Sequence, residues 1–238
     1  MSYQLTGDID HEQTANPAEV DEADEICFES SEEWLSWVGS RVAETDAAYL
    51  AKPDFMAGHY KGERSTAKDY AGRELLELLQ NAADAAMEAG GQGRVRIDVT
   101  EHGLCVANTG KPFRTGGVRS LMTSHTSDKP EQKVALIGAK GLGFRSLLNW
   151  SVEPFITSGE LEIGFSRDAA VRHVESLALT NSKIRKLLAS SGPKPVPVLA
   201  FPLVGSDLAQ IDGLPITSLI DHARAMRASG YDTGHLDF

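Results

Sequence analysis

The stretch from Thr66 to Ala89 constrains this 238-residue chain more than any other. It lacks proline, repeats apolar residues at helical spacing and is closed by Gly90-Gly91, so it predicts the strongest helix of the chain. At about 100° per residue, Glu77, Asn81 and Asp84 fall within about 60° of one another. Leu75, Leu79, Ala82, Ala83 and Ala86 cover the opposite side, and Leu76, Leu78, Ala85 and Met87 take the two shoulders. The apolar arc is wider than the single stripe of a surface helix and leaves a narrow polar slot. The slot has two readings. It is a solvated strip on a half-buried helix, or it lines a cleft in which a carboxylate and a carboxamide one turn apart serve as base and metal ligand.

Other elements follow from local pattern. Ser30 or Ser31 caps a helix starting near Glu32 with Trp34, Leu35 and Val38 on its apolar side, and a second helical stretch over 41–51 stops before Pro53. Residues 57–65, with two glycines, predict a loop. Alternation over 94–100 and 104–107 predicts a hairpin. Residues 109–137 form a long connection with one short helix near Val118–Met122, and loops of that length are commonly lids. A glycine-opened helix at Gly141–Asn149 leads to strands near 152–157 and 160–165. Then come a helix over 167–189, a short strand at 196–204 and a helix near 216–228.

Charge is unevenly placed. Residues 1–33 hold four Asp, seven Glu and no Lys or Arg, which accounts for the whole net charge of -11. That segment predicts a solvated acidic tail, and the remaining 34–238 form a neutral body with no broad nucleic-acid footprint. No run approaches the roughly 20 apolar residues of a membrane span. Cys27 and Cys105 are the only cysteines, which excludes a disulfide framework and fits a reducing, cytoplasmic setting.

Three segments carry a family resemblance. Glu77-Leu-Leu-Gln-Asn81-Ala-Ala-Asp84-Ala85 matches every fixed position of ExxxNAxDA, the N-box of the GHKL ATPase superfamily that includes gyrase B, MutL, the ninety-kilodalton heat-shock chaperone and the histidine kinases. Asn108-Thr109-Gly110-Lys111-Pro112-Phe113 is by itself a turn signal, and it resembles the superfamily's first glycine box, DxGxG, with Asn at the acidic position and Pro112 for the second Gly. Residues 137–146, Ile-Gly138-Ala-Lys140-Gly141-Leu-Gly143-Phe144-Arg-Ser, resemble the second box, GxxGxGF. Closely spaced glycines before a helix let backbone N–H groups gather around phosphates. The run is neither a P-loop, lacking GK[ST], nor a dinucleotide fingerprint, lacking a preceding strand and a downstream acid. The motifs stand 27 and 30 residues apart, in the superfamily's order. NTGKPF with IGAKGLGFRS looks most like the N-terminal ATPase-like domain of sacsin and the No Vein proteins.

The resemblance implies an α/β two-layer sandwich, the Bergerat fold, with a mixed, mostly antiparallel sheet, helices on one face and a lid at about 114–137. It implies ATP and Mg²⁺ as ligands and slow ATP hydrolysis. Glu77 would prepare the water, Asn81 would supply an oxygen to Mg²⁺, and Asp84 with Ala85 would support the base pocket. Asn108 would read the adenine amino group, and Gly110 would let the base approach. Gly138, Lys140, Gly141, Gly143 and Phe144 would form the phosphate end, and Thr233 in Gly230-Tyr-Asp-Thr233 would support the adenine. An apolar strand is expected after Thr233, yet the sequence reads Gly-His-Leu-Asp-Phe238, so a fragment, a truncated reading frame or a module completed by another chain is expected, as the N-terminal part of a larger protein or system. The resemblance also implies a homodimer in the nucleotide-closed state. Two alternatives are a nucleotide-gated switch with little turnover and a histidine-kinase-like phosphotransferase.

The remaining polar residues give weaker signals. Ser124, Thr126, Ser127 and Lys129 sit in the long loop, as phosphate contacts of a lid or simply as loop polarity. His59, His102 and His125 show no ligand spacing and are expected on surfaces or loops. Cys105 is expected to be a buried thiol, and Trp34 and Trp37 to be packing. Arg73, one turn before Glu77, is expected either to pair with it or to face phosphates.

Overall fold

The computed structural model describes residues 26–123, 143–189, 192–211 and 214–231. Gly138, Lys140, Gly141 and Thr233, the polar residues Ser124 to Lys129, and most of the acidic tail lie outside the described residues. The architecture is α/β, with seven α-helices, two 3-10 segments and five short strands among the described residues.

Helix α1 (Ser31–Ala51) is one continuous helix where two were expected. Ser30 caps it, its Oγ accepting from the Glu33 N–H at 3.3 Å. Trp34 and Val38 are buried as expected, whereas Leu35 is exposed. Helix α2 (Pro53–Asp69) replaces the loop expected at 57–65. Pro53 stands at its first turn, where a missing N–H costs nothing. Its buried line, Met56, His59, Glu63 and Ala67, repeats every three or four residues, and that packing outweighs the low helix propensity of its glycines.

The strongest predicted helix is shorter at its start. Residues 66–69 belong to α2, Gly72 turns the chain at φ +83°, and α3 spans Glu74–Glu88. Antiparallel β1 (Val95–Val99) and β2 (Leu104–Asn108) form the expected hairpin, with Ile97 opposite Val106. Helix α4 (Thr115–Met122) follows, and after the second glycine box the chain forms a 3-10 helix, Gly143–Asn149, in place of an α-helix. Strands β3 (Phe155–Ser158) and β4 (Leu161–Gly164) form a second hairpin. Its turn uses Gly159 at φ +56°, the sign that tight hairpin turns require.

The helix expected over 167–189 is two, α5 (Arg167–Ala178) and α6 (Ser182–Leu188). Asn181 caps α6 through its Oδ1 and ties back to the Leu50 carbonyl. Of the strand expected at 196–204 only β5 (Leu203–Val204) pairs, against β4. Helix α7 (Leu214–Ala228) closes the described chain.

Two separate antiparallel sheets, β1-β2 and β3-β4-β5, stand where one sheet was expected. Helices lie on both faces of the first rather than one. Successive β2 side chains point to opposite sides. Val106 joins a core with Leu78 of α3, while Cys105 and Ala107 join one with Leu219 and Ala223 of α7. A third core gathers Tyr49, Met56, Val174 and Ile184 from α1, α2, α5 and α6.

Candidate functional site

The orientation of α3 decides what its polar residues can do. Its buried line is Glu74, Leu78 and Ala82. Leu75, Leu76 and Met87, expected to be covered, are exposed. Glu77, Asn81 and Asp84 are half-buried on one shoulder of the buried line, so the slot borders the interior and is not a fully solvated strip.

Glu77 meets the second glycine box. Its side chain is 12% exposed, and Arg73 lies 3.3 Å from its Oε1, the pairing left open by the sequence. A Cβ added to Gly143 would fall against the Glu77 carboxylate and 2.8 Å from its Cβ. Only a glycine lets the backbone at 143 approach that carboxylate so closely. Residues 66 positions apart are thereby in contact.

The first glycine box docks on the far end of α3. Lys111 N–H donates to the Ala85 carbonyl at 3.0 Å. A Cβ on Gly110 would stand 2.5 Å from both the carbonyl carbon and the Cβ of Ala85. Gly110 is thus required by its packing against α3. Asn108 is buried, and its Oδ1 accepts from the Gly110 N–H at 2.8 Å, closing an Asx turn. Phe144 lies in the hydrophobic core with its ring 6.2 Å from that of Phe165. The structure therefore brings Glu77 to Gly143 and Ala85 to Gly110, puts Asn81 and Asp84 along the helix between them, and places Phe144 beneath.

A buried polar network that the sequence reading missed supports this arrangement. Arg145 is 1% exposed, and its Nη2 donates to the carbonyls of Ser120 at 2.9 Å, Leu121 at 3.3 Å and Thr123. A cation on the last carbonyls of α4 also opposes the negative end of the helix dipole. Glu63, also 1% exposed, accepts from Val198 N–H and Leu199 N–H, each at 2.9 Å. Burial raises the Glu63 carboxyl above its ordinary range, while those two amides and the Arg145 charge pull the other way. Burial likewise lowers Arg145, with Glu63 opposing.

His59 is not on a surface or loop. It is 4% exposed on α2, and its Nδ1 is 2.5 Å from the Tyr49 hydroxyl. Burial, helped by the Arg145 charge, lowers its pKa from 6.5 to about 4, so the ring is neutral at pH 7. Burial raises Tyr49, which keeps its hydroxyl protonated. Glu74 was also missed. It is 2% exposed, its Oε1 accepts from Asn149 at 3.3 Å, and its Oε2 has no partner among the described residues. Glu63 and Glu74 share an i, i+4 relation with apolar neighbours that pattern reading takes for solvated charge.

Among the described residues, no group of three or more His, Cys, Asp or Glu forms a cation cage. Magnesium does not require one, since it is commonly held by one or two carboxylates, substrate phosphates and water. Asn81 would offer a carboxamide oxygen one helical turn from the Glu77 carboxylate. No helix among the described residues is long and apolar enough to cross a membrane.

Comparison of the chain with protein-family models, curated proteins and solved structures finds no match.

Proposed function

We propose that the chain is an ATP-binding module of the GHKL type, with a Bergerat-like fold, that hydrolyses ATP slowly with Mg²⁺. The observation that carries this reading is the contact between Glu77 and Gly143. The N-box and the second glycine box resemble parts of one phosphate site, and their end residues touch across 66 positions of sequence.

Phosphoryl transfer needs placement and charge stabilisation more than covalent chemistry. In this reading Glu77 takes the proton of the attacking water, and Asn81 offers its side-chain oxygen to Mg²⁺, which neutralises charge on the phosphates. Asp84 and Ala85 border the base pocket with Asn108 and Gly110. Gly138, Lys140, Gly141 and Gly143 hold the phosphates, and Thr233 supports the adenine. Phe144 anchors the glycine turn from the core side.

The test is Glu77→Gln. Hydrolysis is expected to fall at least about 100-fold, within the usual contribution of a general base, while calorimetric ATP affinity stays within about threefold. Wild-type protein that does not bind ATP ends the reading. Unchanged hydrolysis with intact binding removes Glu77 from its role.

A second reading, a nucleotide-gated switch with little turnover, is favoured by two observations. The Asn108 oxygen is engaged by its own turn, and Arg73 engages the Glu77 carboxylate. In that case ATP binds, drives association with a second copy or further domains, and phosphate release stays at background. Appearance of labelled phosphoprotein would point instead to histidine-kinase-like transfer.

A further inference from the structure

We propose that β1 is a self-recognition edge, through which two copies of this chain join their β1-β2 hairpins into one four-stranded antiparallel sheet. The pairing needs no nucleotide and does not rest on the ATP reading.

The backbone carries the first argument. Among the described residues β1 pairs with β2 alone, so its other side is an open edge. The Thr109 N–H donates to the Arg94 carbonyl and the Thr100 N–H to the Gly103 carbonyl, which fixes the alternation along the strand. Arg94, Arg96, Asp98 and Thr100 therefore turn their backbone groups toward β2, and Val95, Ile97 and Val99 turn theirs to the edge. An antiparallel copy centred on Ile97 sets Ile97 against Ile97 and Val95 against Val99. These are the residues whose N–H and C=O groups face the edge, and each such pair exchanges two N–H···O bonds.

Side chains identify the occupant. Val95 and Ile97 are each 42% exposed and Val99 is 82% exposed. They share one side of the strand, and pairing continues them into one apolar stripe across both copies. On the other side stand Arg96 and Asp98, joined within the strand at 2.7 Å. Charges on an edge strand ordinarily guard it against pairing. Here Val95-Arg96-Ile97-Asp98-Val99 is its own complement when reversed. The antiparallel register places Arg96 of each copy opposite Asp98 of the other, at the non-hydrogen-bonded positions where side chains come closest. A parallel, in-register copy would set like charges together. The charge pattern thus selects a second copy in one orientation. An edge of five residues is smaller than a standard interface, so the dimer is weak and reversible.

The experiment is analytical ultracentrifugation of the full chain at low salt, without nucleotide, from about 5 µM to about 1 mM. A reversible dimer with a Kd of about 10–200 µM is expected. Ile97→Pro tests the edge. The Ile97 N–H points away from β2, so the hairpin ladder keeps its bonds, while both bonds of the central pair are lost. Association should weaken at least about tenfold. Arg96→Asp and Asp98→Arg test the register. Each variant alone opposes like charges and should weaken self-association at least about tenfold, whereas their equimolar mixture should associate within about threefold of wild type. Where a charge variant does not fold, Ile97→Pro decides, and where Ile97→Pro does not fold, the mixture decides. Wild type that stays monomeric at about 1 mM, a dimer that folded Ile97→Pro leaves unchanged, or a mixture no tighter than its two components each overturns the proposal.

Discussion

Gly110→Ala probes the junction on which the first glycine box depends. The new Cβ would stand 2.5 Å from the Ala85 carbonyl carbon, 2.5 Å from the Ala85 Cβ and 2.8 Å from the Ala86 nitrogen. Two of these atoms are helix backbone, so no rotamer change relieves the overlap. Ordinary contact needs a displacement of about 1 Å between α3 and the turn, and overpacking of that kind costs about 1–3 kcal/mol. The same displacement stretches the 3.0 Å bond from Lys111 N–H to the Ala85 carbonyl, a further contribution of about 0.5–1.5 kcal/mol if it is lost. The expected total is about 2–4 kcal/mol. Urea denaturation followed by circular dichroism should show a midpoint lower by about 1–2 M at unchanged slope, for a slope of about 2 kcal/mol/M. Gly39→Ala, inside α1 with no atom within 4 Å of its added Cβ, should instead be neutral or stabilising by up to about 1 kcal/mol. Adding Ala85→Gly to Gly110→Ala should restore little, because the carbonyl carbon remains in the way. A Gly110→Ala midpoint matching wild type, or full rescue by Ala85→Gly, refutes the reasoning.

Three further outcomes are expected. His59 has a folded pKa of about 4 against 6.5 unfolded. Above pH 6.5 both states are neutral there, and between the two values only the unfolded state takes the proton, so acidification destabilises the fold. Glu63, raised by burial, acts in the opposite sense as pH falls toward its unfolded value, so His59 must be read by difference. Wild type is expected to lose about 2–3 kcal/mol relative to His59→Gln between pH 7.5 and 4.5, and parallel stability profiles would contradict this. Arg145→Met removes the donor from three carbonyls of the 120–123 turn and strips Glu63 of its nearby cation, for an expected loss of about 3–5 kcal/mol in thermal or denaturant unfolding. Asn181→Ala removes the α6 cap and its tie to Leu50, and is expected to cost about 1–2 kcal/mol on the same assay.

The sequence was most legible where one local signal decides the outcome. Ser30 before an acidic first turn and alternation around Gly103 each place an element to within a few residues. It was least legible where packing overrules propensity. In α2 the glycines suggest a loop, and a buried line that includes one histidine and one glutamate holds a helix. Neither residue advertises burial, because the partners that make burial tolerable lie far away in sequence: Tyr49 for His59, and the amides at 198–199 for Glu63.

The same distinction explains the candidate site. Motif spacing nominated Glu77, Gly110 and Gly143, but the face of α3 that turns inward follows from contacts that no periodicity contains. A purely apolar rule turns Leu75 and Ala83 toward the core; in the fold both are exposed. Burial centres on Glu74, Leu78 and Ala82. Leu78 sits in the hydrophobic core, and Glu74 takes a hydrogen bond from Asn149, which also bonds the Ala67 carbonyl of α2. A shift of about 100°, one residue's worth, would exchange the half-buried slot for the leucine face. Glu74 and Asn149 tie the buried line of α3 to α2 and to the 3-10 helix, although neither belongs to a motif.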